Sequence, residues 1–315
     1  MMVVASTLLI GFAGCSGGGE EVTIFTGGTA GVYFPLGSKY AEMLNNHSDI
    51  IDANAVTSGA SVTNAKAIGT NECQAALLQN DVAYYALKGT NMFEAAIPEL
   101  SGVACLYPET IQFVVLADSS IMTLDDLAGK NVAVGAPGSG TAVACEQILT
   151  AAGIWTGITR FDLNFAEAAS ALKLGEVDAG FIVAGAPTPA IEELAISSDV
   201  RILEIPDGIL AALISGGYPF YIRQNIPAGT YGMSGGVATV AVQAMLAVRK
   251  DLPEDVVYDM TKILFTQLEE LRTAHTKANE VTLKGALDGM SLPLHPGAVK
   301  YFEEAGLSVP AALKG

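Results

Sequence analysis

The sequence predicts an α/β protein of two lobes, each a mostly parallel sheet flanked by helices, with a ligand cleft between the lobes. Three observations lead there. One device is written twice: an apolar strand, a Gly-rich turn, then a helix. Its copies begin at Val22–Thr26 with Gly27-Gly28-Thr29-Ala30-Gly31, and at Asn131–Val134 with Gly135-Ala-Pro-Gly138-Ser139-Gly140-Thr141. Strand and helix patterns alternate almost throughout, as parallel sheets covered by helices require. The chain has 315 residues, enough for two domains with proper cores.

The elements follow from periodicity and punctuation. After the first Gly-rich turn a helical pattern runs from about Tyr33 to Asn46. Ile51–Val56 and Gln74–Leu78 read as short buried strands, separated by a helix near Ser61–Ile68. Val103–Leu106 and Ile111–Leu116 read as two strands divided by Tyr107-Pro108-Glu109, because Pro removes a ladder donor. Thr123-Leu-Asp-Asp126 opens a short helix that Gly129 ends. The second Gly-rich turn leads into a helix reaching about Ala152. A helix near Ala166–Leu174, a strand Ala179–Val183, a helix from about Pro187 to Ile196 and a strand Arg201–Ile205 come next. Tyr218–Ile222 and Thr239–Val248 read as strands returning to the first lobe. Beyond them a long amphipathic helix carries Val256, Met260, Ile263, Leu264 and Leu271 on its apolar face. No low-complexity linker separates the lobes. The second, at 117–216, therefore reads as an insertion into the first, 21–116 plus 217–315.

Composition narrows the function. Net charge is −17, with only five arginines, so phosphate backbones are repelled and nucleic acid is excluded as a partner. No run after the N-terminus approaches the eighteen or so apolar residues of a membrane helix, which predicts a soluble body. Residues 1–20 read as a lipoprotein signal and linker. Met2–Phe12 is apolar, Ala13-Gly14-Cys15 supplies small residues before a lipid-bearing Cys15, and Ser16–Gly19 is a flexible spacer. The alternative is an uncleaved tail. Cys145 shares a helical face with Ile148 and Leu149 and reads as buried. Cys73 and Cys105 each adjoin a strand and can either bridge or stay as separate thiols.

In each Gly-rich turn the first N–H groups of the following helix point beyond the strand end and make an anion pocket with the helix dipole. A phosphate-binding P-loop would need Lys and Ser/Thr where Thr141 and Ala142 stand, and a nucleophile elbow would need Gly at 137 and 141. Both are rejected. What remains can hold a carboxylate through backbone amides and the Ser139 and Thr141 hydroxyls, while Ser139 can also cap its helix. Tyr33 can close over a ligand or simply pack beside Phe34 and Pro35. His47, His275 and His295 are scattered and read as solvated or capping residues. No carboxylate pair marks itself as an acid–base couple, and no metal or cofactor motif is present, which argues against an enzyme.

These residues, taken in order, resemble the TAXI-family solute receptors of TRAP (tripartite ATP-independent periplasmic) transporters. The matching segments include Thr26–Gly37, Leu78-Gln79-Asn80-Asp81-Val-Ala83, Leu106-Tyr107-Pro-Glu109, Val134–Thr141, Phe165–Ala168, Asp178–Pro187, Tyr218-Pro-Phe-Tyr221, Ile226–Tyr231 and Pro293–Ala298. Ser101-Gly102 departs from the pattern, standing where a basic residue is expected. The resemblance implies a type II periplasmic-binding-protein-like fold. It implies a monomeric extracytoplasmic receptor delivering a glutamate- or 2-oxoglutarate-like anion to an ion-gradient-driven membrane partner. On the matching positions, ligand contacts would come from Thr29, Ala30, Tyr33 and Gln79 in one lobe and Ser139, Gly140, Thr141, Ala184 and Gly185 in the other. Tyr218 and Tyr221 would wall the cleft.

Overall fold

Twenty helices and strands make up the computed structural model, which describes residues 19–315. The expected lipid-bearing Cys15 and most of the expected leader lie outside the described residues. Strands β1 (Glu20–Phe25), β2 (Ile51–Val56) and β3 (Ala75–Gln79) alternate with helices α1 (Tyr33–His47), α2 (Ser61–Thr70) and α3 (Asn80–Lys88). A long β4 (Leu100–Leu116) leads to β5 (Asn131–Ala133), α4 (Gly140–Ala151), β6 (Thr159–Phe161), α5 (Phe165–Leu174), β7 (Ala179–Ala184), α6 (Pro189–Ser197), β8 (Val200–Leu203) and α7 (Asp207–Ser215). The chain closes with β9 (Ile222–Ile226), β10 (Val237–Arg249), α8 (Glu254–Thr266), α9 (Leu268–Arg272) and α10 (Pro296–Glu304).

The strands line up as β2-β1-β3-β10-β4-β7-β5-β6, with β8 beside β4 and β9 beside β10. β1 pairs parallel with β2 and β3, and β5 with β6 and β7, while β4 and β10 run antiparallel to their neighbours. Both long strands change partners along their length. β4 pairs with β10 over Leu100–Thr110 and with β7 over Thr110–Val114, and β10 pairs with β9 over Val237–Ala241 and with β3 over Ala244–Val248. Continuous backbone therefore joins the two halves. One apolar core lies under α1, α5, α6, α8 and α10, and two smaller ones lie on the opposite face, under α2 and α3 and under α4 and α7. The result is an α/β fold with helices on both faces.

Several elements differ from the sequence reading. The two strands expected at 103–106 and 111–116 are one, because Pro108 sits opposite Gln243 beside a register shift in β10, where a missing N–H does no harm. The strand expected at 218–222 starts only at Ile222, and the segment before it packs as irregular structure. The long C-terminal helix breaks at Gln267 (φ −114°, ψ 31°) into α8 and α9, though Leu271 stays buried. Helices α7 and α10 were not anticipated; α7 is so uniformly apolar that its helical period is masked. Cys73, Cys105 and Cys145 are buried free thiols, which settles the open choice against a bridge.

Candidate functional site

Strand ends and helix starts meet at one place. The turn after β1 presents Gly27–Val32 and the first residue of α1. The loop before α2 presents Ser58–Ser61, and the turn after β5 presents Ala136, Ser139, Gly140 and Thr141 at the start of α4. Asn164, Phe165 and Ala166 open α5, and Val183 and Ala184 end β7. Together with Gln79 and Glu109 these residues enclose a cavity of about 420 Å³. Four helices thus aim their N-terminal ends at a common space, and each brings N–H groups with no intrahelical acceptor. Neither Lys nor Arg is among the lining residues.

Local chemistry explains the turns. Gly135 (φ 109°) and Gly138 (φ 78°) take backbone angles that L side chains rarely adopt, so the chain reverses sharply into α4. Ser139 caps that helix: its Oγ accepts from Ala142 N at 3.1 Å and donates to the Ala136 carbonyl at 2.6 Å. The Ser139 hydroxyl hydrogen is therefore already committed within the turn. A capping box closes α5, with Asn164 Oδ1 accepting from Glu167 N and Glu167 Oε2 from Asn164 N.

The two walls of the cavity touch each other directly. Val62 N and Thr63 N, from α2, both donate to the Gly138 carbonyl at 3.1 Å. Ala190 N donates to the Ala30 carbonyl at 3.2 Å. A Cβ at Gly31 would stand 3.3 Å from the Phe165 ring, and one at Gly140 would overlap the Gln79 carboxamide. Close approach at Gly140 demands a residue without a side chain.

Of the residues expected to contact a ligand, Thr29, Ala30, Tyr33, Gln79, Ser139, Gly140, Thr141 and Ala184 are brought together around the cavity. Gly185, Tyr218 and Tyr221 are not among its lining residues. Gly185 backs onto the aliphatic chain of Lys277, where a Cβ would collide. Tyr221 is buried, and its hydroxyl donates to Gln147 Oε1 at 2.7 Å; Gln147 Nε2 in turn donates to the Tyr85 hydroxyl at 3.3 Å. Tyr218 packs among the apolar side chains of that same region.

Sequence reasoning missed Glu109. It sits on β4, 2% exposed, and lines the cavity. Burial pushes its carboxyl up to about 8, against the opposing pull of the Tyr33 hydroxyl, the Gln79 carboxamide and the more distant Lys277. Tyr33 Oη and Gln79 Oε1 beside it are buried without a hydrogen-bond partner. The signal was present: this acid is the one charged residue in the run from Val103 to Leu116, and it directly follows a proline. The loop at Ser58–Ser61 and the start of α5 carried no such signal. All three histidines lie elsewhere. His47 Nε2 meets Glu270 at 2.7 Å, and the Nδ1 atoms of His275 and His295 accept from Lys277 N and Gly297 N. Among the described residues no group of three His, Cys, Asp or Glu is placed to hold a metal ion, and no helix is long and apolar enough to cross a membrane.

Comparison with known structures places this architecture. The chain is similar to the periplasmic aliphatic sulphonate binding protein SsuA from Escherichia coli, with 16% identity, a TM-score of 0.54, and 94% of this chain and 88% of that one covered. It is also similar to PhnD1 from Prochlorococcus marinus (MIT 9301) in complex with methylphosphonate, with 11% identity, a TM-score of 0.55, and 83% and 91% covered. At such identities the likeness shows the fold, which is that of type II periplasmic solute-binding proteins. Residues 24–306 match the NMT1-like family, and on that span the chain belongs to it.

Proposed function

We propose that this protein is an extracytoplasmic solute receptor. It captures a small organic anion, a glutamate- or 2-oxoglutarate-like carboxylate, by closure of its lobes. The observation that carries this reading is the convergence of four helix N-termini, from both halves of the sheet, on one cavity without Lys or Arg. The field of a chain with net charge −17 repels anions at long range, so local amide dipoles must supply the attraction. Hydrogen bonds to a charged carboxylate contribute about 1.5–3 kcal/mol each. Four or five of them, less the cost of ordering, reach the roughly −8 kcal/mol of micromolar binding. Donors from both halves favour the closed state once ligand is present, which is the differential affinity that closure needs.

In this reading the lobes are 21–116 plus 217–315 and 117–216, with the hinge passing through β4 and β10. Thr29, Ala30, Tyr33, Gln79, Gly140 and Thr141 face the solute, with Ser139 holding the second turn in shape. Cys15 anchors the receptor to lipid, and the closed form is what the membrane subunits of a TRAP transporter recognise. The resemblance of the ordered segments supports that partner. Titration calorimetry with 2-oxoglutarate and L-glutamate is expected to give saturable binding. Ser139→Ala combined with Thr141→Val is expected to weaken it by about 1–3 kcal/mol; flat traces for both compounds would refute the reading. One observation favours a second reading, an enzyme on the same scaffold, because a buried carboxyl held near neutrality is suited to acid–base chemistry. Conversion of a bound compound into product, followed by mass spectrometry, would select it.

A further inference from the structure

Glu109 stands alone as an acid in a cavity otherwise built for negative charge. It is almost fully buried and lines the space into which α1, α2, α4 and α5 direct their N-termini. The polar and charged groups that act on it are Tyr33 from α1, Gln79 from β3, Asp81 from α3 and Lys277 from the turn at Thr276–Glu280, while β10 sets the apolar Val242 opposite it. Tyr107, on β4 itself, lies close enough to feel its charge. Lys277 is the only cation among them, and its ammonium is already held by Glu280 at 2.6 Å. Asp81 adds a further acid behind the site. A carboxylate solute lodged here would stand beside Glu109 in a closed space, and two like charges at such range cannot both remain ionised.

We infer that the receptor binds its anionic solute together with a proton, carried on Glu109, whose carboxyl then donates a hydrogen bond to an oxygen of the solute. The inference rests on the anion-receptor reading and specifies what the site selects. The occupant is an anion that presents a hydrogen-bond acceptor to Glu109, in preference to a zwitterion that presents an ammonium. No bond other than O–H is made or broken, and the proton comes from water. The Tyr33 hydroxyl, unpartnered beside the carboxyl, can donate a second hydrogen bond to that acceptor.

The sign of the effect follows from linkage. Burial already pushes Glu109 from the usual 4.5 up to about 8, and a bound negative charge raises it further. When the lobes are open and the group is hydrated, it returns toward the ordinary carboxylate range. Between these limits closure takes up one proton, so affinity falls as pH rises, approaching tenfold per pH unit.

The experiment is titration calorimetry of 2-oxoglutarate and of L-glutamate, from about pH 5 to about pH 8 and in buffers of different ionisation enthalpy. The expected result is uptake of about one proton per 2-oxoglutarate bound, with affinity weakening as pH rises. Glu109→Gln is expected to flatten that profile and bring the proton count near zero. Zero uptake or proton release in the native protein would overturn the inference. So would a preference for L-glutamate that Glu109→Gln abolishes at every pH, because Glu109 would then pair with the ammonium. Failure of both compounds to bind would count against the anion-receptor reading. Glu109 is then judged with other small carboxylates, succinate and acetate, by the thermal shift each gives native protein and Glu109→Gln across the same range. A shift of the native protein that shrinks as pH rises while that of the variant stays constant supports the inference, and equal profiles for the two, absence of any shift included, overturn it.

Discussion

At the scale of single residues, the anomalies are the buried acids Asp81 and Glu109. Asp81 opens α3, yet both carboxylate oxygens are buried and lack hydrogen-bond partners, and burial pushes its carboxyl up to about 7. A carboxyl raised in the folded state costs no stability well below its unfolded value of 3.8, and its cost grows as pH rises toward 7. Asp81→Asn should therefore stabilise the protein at neutral and higher pH, by on the order of 3 kcal/mol, and hardly at all near pH 4. Thermal denaturation of both forms across that range checks this, and a pH-independent difference would contradict it. Such a group escapes a reading of the chain because Asp at the first turn of a helix is ordinarily a solvated favourable charge. Only the closure of other elements over it makes it costly.

At the scale of elements, helix caps link local sequence to pH. The Pro296 that opens α10 is preceded by His295, 2% exposed, whose Nδ1 accepts from Gly297 N while Nε2 meets the Leu252 carbonyl at 3.1 Å. That arrangement uses the neutral imidazole with its proton on Nε2, and burial holds the ring below the usual 6.5. The cap is intact above that value and is lost as pH falls through the depressed one. His295→Asn keeps an acceptor at the cap and removes the titration. The variant should lose less stability than the native protein on acidification below about pH 6, read by chemical denaturation at several pH values. A capping role for this histidine was legible because Pro296 follows it directly, as a first helical residue does. Helix α10 itself was not, since its apolar face is short.

For the whole molecule, what matters is the meeting of the two halves over the cavity. Gly140 is the tightest point of that meeting, with the Gln79 carboxamide filling the place a side chain would need. Gly140→Ala should leave each half folded but oppose their approach, because Ala costs a helix nothing and only the facing half objects. Affinity for 2-oxoglutarate should drop by roughly tenfold or more, equivalent to at least about 1.4 kcal/mol. Small-angle scattering should show the particle contracting on addition of 2-oxoglutarate for the native protein, as the proposed closure requires, and not for the variant. Unchanged affinity and full contraction would mean that Gln79 moves aside without cost.

The sequence alone determined the parts whose causes are local. Strand and helix periods mark β1 to α1, and Gly135 and Gly138 at positive φ with the Ser139 cap mark β5 to α4, each within a few residues of the structure it produces, so both units could be read directly. The same local logic placed Thr29, Tyr33 and Ser139 at strand ends, where α/β sheets present their loops. Tertiary structure decided the rest. Whether Pro108 breaks a strand depends on what lies opposite it in β10. Whether Tyr221 faces a ligand or Gln147 depends on α4, and whether Glu109 is an ordinary surface acid or a buried one inside a cavity depends on elements distant in the chain. Solvation is a property of the assembled surroundings, and a charged residue carries no record in its own neighbourhood of how completely water will be removed from it.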